Sequence, residues 1–338
     1  MPKAYYHGLD VLVTGADGFI GSHLTEALVE CGANVTALSL YNSFDSYGWL
    51  DDLRPAVRRS FNAVRGDIRD PAFMRRLIAG QDVVFHLAAL IAIPHSYAAP
   101  QSYVETNVLG TLNVLEAARE ANVQRVVHTS TSEVYGTAIT VPISEAHPLQ
   151  GQSPYSASKI AADMMAEAFA RSFELPVVIL RPFNTFGPRQ SERAIISSTL
   201  RQALDGSVPS IQIGDTTPIR DFTYVADTTS AFLAIGESHN VEFGRPYNAG
   251  SGKAVTIGEL AALALELTGC TKPLQRDPGR VRPAHSEVRA LLADSASFTD
   301  LTGWRPKIEL REGLQRTIEW WRARLVGGRV RRETTYVT

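Results

Sequence analysis

Five short stretches of nearly unbroken apolarity mark the first half of the chain: "DVLVTG", "ANVTALSL", "QDVVFHLAA", "QRVVHTSTS" and "LPVVILRP". Apolar side chains at successive rather than alternate positions are the pattern of strands buried on both faces, as in a parallel sheet. Between them, "SHLTEALVECG", "YVETNVLGTLNVLEAAREAN" and "SASKIAADMMAEAFARSFE" repeat apolar residues every three or four positions, which predicts helices. The last two cover about 103–121 and 156–173. Strand–helix–strand repetition predicts an α/β fold with a doubly wound parallel sheet over residues 1–180, and a return segment near 223–250. Residues 181–325 read as a smaller α/β domain. There "IISSTLRQALDG" and "TIGELAALALELTG" have helical spacing, while "IQIGD" and "RDFTYVAD" read as strand and turn. The amphipathic "REGLQRTIEWWRARL" closes it, with Trp320 and Trp321 expected in the core. The Gly- and Arg-rich residues 326–338 are expected to be a disordered tail.

Composition narrows the partners. A net charge of −2 over 338 residues provides no footprint for nucleic acid or an anionic membrane. The N-terminus lacks an apolar signal core, and every stretch long enough to span a bilayer carries charge. Cys31 and Cys270 have neither metal-ligand spacing nor a disulfide framework. The expectation is a cytoplasmic protein with no metal site, no membrane association and no nucleic-acid partner.

Candidate chemistry begins at "TGADGFIG", where Gly15, Gly18 and Gly21 follow a strand and open a helix. Glycines here allow a tight turn and close approach of a pyrophosphate, which the free N–H groups of the helix N-terminus then hold. This makes the sheet Rossmann-type and dinucleotide-binding. The second strand carries Ser39 where an acidic residue would hold an NAD ribose, and no arginine follows it to meet a 2′-phosphate. NAD is the expected cofactor and NADP stays open. Asp67 and Ile68, in "RGDIRD", mark either the adenine edge or, through Asp67, a helix N-cap. In "SPYSASKIAAD", Tyr155 and Lys159 stand four apart on one helix face. An ammonium beside the phenol, helped by an oxidised nicotinamide, would lower its pKa toward the working range of a base. His95 reads as a hydrogen-bonded loop histidine.

Taken together, "VTGADGFIGSHL", "HLAAL", "TSTSEVYG", "PYSASK", "RPFNTFGPRQ" and "RDFTYVADT" resemble the extended short-chain dehydrogenase/reductases that act on nucleotide sugars, in order, from about Leu9 to Trp321. The resemblance implies an NAD-binding Rossmann domain, a smaller domain closing over a nucleoside-diphosphate sugar, and a homodimer built on two helices of each subunit. It implies Thr131, Tyr155 and Lys159 as the catalytic hydroxyl, tyrosine and lysine. It also implies that Phe19, Ile20, Leu87, Ala88, Ala89 and Asn107 line the cofactor. Asn184, Arg189, Arg220 and Arg282 match substrate positions, where the arginine fork suits diphosphate.

Glu133 separates the reactions within this family. After the catalytic threonine, sugar epimerases usually carry small residues, whereas 4,6-dehydratases carry Asp-Glu or Ser-Glu. Here the pair is Ser132-Glu133. A dehydratase uses such a carboxylate because a ketone at C4 makes the C5 proton acidic, and a base can then drive loss of the C6 hydroxyl. Glu133 is the expected C5 base, with Ser132 helping the hydroxyl leave. UDP-glucuronate decarboxylases share Thr-Ser-Glu but usually follow the lysine with arginine, where this chain has Ile160. The loop "YNSFDSYGWLD" and the run "HPLQGQSPYSASK" are most similar to UDP-N-acetylglucosamine 4,6-dehydratases. An epimerase, or a cofactor-binding regulator without chemistry, remains the alternative; a regulator has no use for Tyr155 and Lys159.

Overall fold

The computed structural model describes residues 2–328. Its main sheet has seven parallel strands. In chain order the strands of the whole molecule are β1 (Asp10–Thr14), β2 (Asn34–Leu40), β3 (Phe61–Gly66), β4 (Val83–His86), β5 (Arg125–Thr129), β6 (Val177–Pro182), β7 (Asn184–Phe186), β8 (Ile211–Ile213), β9 (Ile219–Tyr224), β10 (Pro246–Ala249), β11 (Ala254–Thr256) and β12 (Leu274–Arg276). The main sheet runs β10-β6-β5-β4-β1-β2-β3. All five apolar runs of the sequence lie in it. The order reverses between β1 and β4, which opens a crevice at their carboxyl ends.

Two apolar layers sandwich the sheet, because its strands alternate side chains between faces that are both covered. Val11, Val13, Phe85 and Val127 pack with the helices Phe19–Glu30 and Val225–Glu237 on one side. Leu12, Val84, Val126 and Val177 pack with the helices Gly110–Glu120 and Pro154–Phe173 on the other. Pro154 at the first turn and a reciprocal Ser153–Ser156 capping box start the latter helix where the sequence predicts. The helix expected over 103–121 departs from regularity, since Val104–Leu109 are wound as a π-helix ahead of Gly110–Glu120. Val225–Glu237 extends what reads locally as a turn into a full helix.

A second core lies beyond the carboxyl end of β6. The strands β7, β9 and β11 form one small sheet, and β8 and β12 another. Phe186, Phe222 and Leu260 pack there with Trp321, which is fully buried on the closing helix Leu310–Val326. Of the tail expected to be disordered, Val326 is helical, Gly327 and Gly328 form a turn, and residues 329–338 lie outside the described residues. Among the described residues no helix is long and apolar enough to cross a membrane.

Candidate active site

The crevice at the switch point is shaped by glycine. Gly15 has φ +66°, and a Cβ on it would lie 2.8 Å from the Ala88 backbone. A Cβ on Gly21 would overlap the Gly15 carbonyl. The helix that follows, Phe19–Glu30, begins at Gly18 with no side-chain cap, leaving the N–H groups of its first turn, Phe19 and Ile20 among them, for a ligand. Thr14 fixes the opposite wall, its hydroxyl accepting the N–H groups of Leu87 and Ala88 at 3.1 Å each. Ala89 continues that wall. A cradle this narrow and free of side chains fits a pyrophosphate.

Ser39 and Asp67, expected on the adenosine side, each bond within the protein. Ser39, next to the last residue of β2, is buried, its hydroxyl donating to the Val64 carbonyl at 3.5 Å. Asp67 does not cap the next helix. Asp70 does so, accepting the Phe73 N–H, while Asp67 holds the Arg69 guanidinium, whose hydrogen bonds keep its carboxyl below the usual range. Ile68 is buried against Gly110, where a Cβ would meet its side chain. Asn107 is engaged within the protein. Its amide accepts the Leu90 N–H at 2.8 Å and donates to the Leu90 carbonyl and to Ser158 Oγ, both at 2.9 Å. It clasps the loop after β4 onto the tyrosine helix.

The mouth of β5 gathers the candidate catalytic groups. Thr131 caps a short 3-10 turn, Ser132–Tyr135, by accepting the Glu133 N–H at 3.2 Å. That turn brings Glu133 and the Thr131 hydroxyl within electrostatic reach of the Tyr155 phenol. Tyr155 is buried, with Tyr103 set edge-on at 6.3 Å, and the His95 ring packs on Tyr103 at 6.1 Å rather than in the loop hydrogen bond expected of it. Burial pushes the Tyr155 phenol above its usual value; the nearby Thr131 hydroxyl opposes this, and the Glu133 charge adds to it. The lowering expected from Lys159 is not seen in the protein alone. Lys159 Nζ instead donates to the Thr129 carbonyl at 2.6 Å, and burial lowers its pKa from 10.5 to about 8.

Below Lys159 lies a group that sequence reasoning overlooked. Asp163 is fully buried and receives Ser130 Oγ at 2.7 Å, with both Nε and Nη2 of Arg181 on the same oxygen at 3.1 and 3.0 Å. Burial would raise its pKa, but the His128 hydrogen bond and the charges of Arg181 and Lys159 hold it below the usual range. The signal was available: Asp163 follows Lys159 by four positions, so Tyr155, Lys159 and Asp163 share one face.

The substrate side brings Arg220 and Arg282 together but not Arg189. Arg189 turns to the cofactor helix, donating to Glu26 at 2.8 Å. Arg220, on β9, donates to Glu287 at 2.9 Å, and Arg282 Nη1 lies 3.7 Å from Glu287 and 3.9 Å from Glu133. Asn184, at the start of β7, has a buried Oδ1 without a hydrogen-bond partner. Glu287 has no motif to announce it, and only the fold reveals it.

Residues 12–317 match the sequence profile of the family described as GDP-mannose 4,6 dehydratase. The chain is 34% identical over 322 residues to a dTDP-glucose 4,6-dehydratase of Actinoplanes sp., covering 93% of this chain and 98% of that one. It is 33% identical over 318 residues to a UDP-glucose 4-epimerase of Mycolicibacterium smegmatis, covering 92% and 98%. Its fold superposes on DesIV, a dTDP-glucose 4,6-dehydratase of Streptomyces venezuelae solved with NAD bound, with a TM-score of 0.82 and 30% identity, covering 93% and 97%.

Proposed function

We propose a nucleotide-sugar 4,6-dehydratase reaction for this chain, which belongs to the GDP-mannose 4,6 dehydratase family, a family of NAD-dependent enzymes acting on sugars. The observation that carries the reading is Glu133, a carboxylate on a threonine-capped turn at the strand mouth whose charge bears on the Tyr155 phenol. An enzyme that only inverts C4 needs no base at that point. Tyr155 takes the O4 proton, Thr131 orients the phenol, and Glu133 takes the C5 proton while Ser132 assists departure of the C6 hydroxyl. NAD, which the cradle of Gly15, Gly18 and Gly21 would hold, would supply the hydride acceptor for C4 and the donor for C6, and a positive charge that favours the Tyr155 phenolate. Lys159 holds a positive charge beneath the site through the Thr129 carbonyl. Residues 1–180, with 223–250, serve the cofactor, and 181–325 serve the substrate.

Arg220, Arg282 and Asn184 are the proposed diphosphate contacts, supported by the approach of Arg282 to Glu133 and by Glu287, which Arg220 and Arg282 share. Arg189 is withdrawn from that set because Glu26 holds it. The substrate is a UDP-N-acetylglucosamine-like sugar, a reading supported by the similarity of "YNSFDSYGWLD" and "HPLQGQSPYSASK" to such dehydratases. Exposed Val104, Leu109, Met164 and Phe173 on the helical segments 100–120 and 154–173 support a homodimer. The lack of a disulfide between Cys31 and Cys270 supports a cytoplasmic setting.

Epimerisation is the second reading, favoured by the mycobacterial epimerase's 33% identity against 34% for the dehydratase. The experiment is to incubate the purified chain with UDP-, GDP- and dTDP-sugars and follow product masses. Loss of water from a UDP-hexosamine is the expected result. Unchanged mass with altered retention would establish epimerisation instead, and loss of carbon dioxide from a uronate would establish decarboxylation.

A further inference from the structure

Four charged side chains meet at the substrate mouth, and their hydrogen bonding is incomplete. Arg220 is almost wholly buried, with Nη1 donating to its own Ile219 carbonyl and Nη2 donating to Glu287 Oε1, both at 2.9 Å. Arg282 reaches toward the same Oε1 and toward Glu133 Oε1, but 3.7 and 3.9 Å are too long for hydrogen bonds. Its Nη1 is buried with no partner. Two guanidinium forks therefore share one carboxylate oxygen. A fork of this shape is built for two acceptors at once.

We infer that Glu287 is an internal occupant of the diphosphate subsite, a carboxylate that the phosphates of a bound nucleotide displace from Arg220 and Arg282. This rests on the nucleotide-sugar reading above and adds to it a residue that sets affinity. Charge counting supports displacement. Arg220 and Arg282 balance Glu133 and Glu287, so a diphosphate entering with Glu287 in place would leave the half-buried cluster strongly negative. A diphosphate, by contrast, offers enough oxygens to satisfy both forks. Like-charge contact in such a place is costly, and the movable acid is the one that leaves.

Glu287 is free to move without disturbing its loop. The backbone is anchored, its N–H donating to the Pro283 carbonyl and its own carbonyl accepting Thr137 Oγ1. Neighbouring Ser286 ties the loop to the Gln152 carbonyl and to the Tyr97 hydroxyl. Beyond Arg220 and Arg282, no described residue holds the Glu287 carboxylate. In the absence of nucleotide Glu287 keeps a buried arginine paired, and its displacement costs part of the substrate's binding energy.

The test is calorimetric binding of UDP and of uridine to the wild-type chain and to Glu287→Gln, which keeps a carbonyl for Arg220 but removes the charge. UDP binding tightens about five- to tenfold in the variant, while uridine, which has no phosphate, binds both alike. A structural role would weaken UDP binding or move both ligands together, and either result overturns the inference. A crystal structure of the wild-type chain with UDP decides the matter independently of the variant's folding. Arg220 then bonds phosphate and not Glu287; a complex in which the Arg220–Glu287 pair persists overturns the inference alone. A wild-type chain that binds no nucleoside diphosphate sinks the proposed function and this inference with it.

Discussion

Lys159 Nζ donates to the Thr129 carbonyl at 2.6 Å, so the tyrosine helix is pinned to the strand end from which Thr131, Ser132 and Glu133 emerge. Burying the ammonium nevertheless costs stability, and it lowers the pKa from 10.5 to about 8. A lysine with a lowered native value binds fewer protons folded than unfolded between those limits, so stability rises with pH across that window. Below it both states are charged and the full cost remains, roughly 3 kcal/mol. Lys159→Met should therefore melt at least as high as wild type at neutral pH, with any advantage shrinking as the pH approaches 10.5. Turnover should fall at least about 100-fold. A variant that melts well below wild type at neutral pH would contradict this.

Tyr155→Phe removes the group that takes the O4 proton and leaves the arginines untouched. Turnover should be lost, with UDP affinity by calorimetry within about twofold of wild type. Substantial residual rate would remove Tyr155 from the centre of the assignment.

Gly21 tests the cofactor cradle. A methyl group there would overlap the Gly15 carbonyl, and backbone on both sides leaves no flexible group to yield. Gly21→Ala should purify without bound nucleotide, as read from the mass of what heat releases, whereas wild type should release NAD. Release of NADP from wild type would correct the cofactor. The cradle's closeness was legible in "TGADGFIG" because only glycine meets those backbone constraints locally.

Other parts of the site were not legible, and the reason is separation along the chain. Tyr155 and Lys159 declare themselves through helical spacing, and the strands through unbroken apolarity. Arg189 resembled a substrate arginine, yet its partner Glu26 lies 163 positions away on the cofactor helix, beyond any local pattern. Ser39 occupied the right place on its strand, but only the neighbouring strand revealed which way its hydroxyl turns. Asn107 lies in a π-helical turn, and its amide bonds the Leu90 backbone and Ser158, partners that no local pattern announces.

Asp163 and Arg181 form a buried pair whose removal should be felt in folding. Asp163→Asn leaves the guanidinium without its counter-charge, a loss of about 3–5 kcal/mol in a denaturant titration at neutral pH. The native carboxyl is held below its ordinary range, so its contribution is present above that range and lost as the pH falls through the native value. The gap between wild type and variant should therefore close only under strong acid. A gap absent at neutral pH would show that the pair does not stabilise the fold.

Glu133 decides between the dehydratase and its relatives. Its carboxylate lies 3.9 Å from Arg282 and its charge bears on Tyr155, so Glu133→Gln keeps the shape of the site while removing the base. Oxidation at C4 depends on Tyr155 and should survive. Elimination should slow by about 10²–10⁴-fold, the usual contribution of a general base. Solvent deuterium should enter C5 more slowly by a similar factor, which mass spectrometry of recovered substrate measures directly. Electrons removed from C4 would have no route to C6, so reduced cofactor should accumulate as near-ultraviolet absorbance during turnover. That absorbance also depends on the C4 oxidation equilibrium, and the isotope measurement is therefore the decisive one. A Glu133→Gln protein that still releases a 4-keto-6-deoxy sugar at the wild-type rate would remove Glu133 from the mechanism. Undiminished inversion at C4 in the same variant would identify an epimerase in which this carboxylate takes no part in proton transfer.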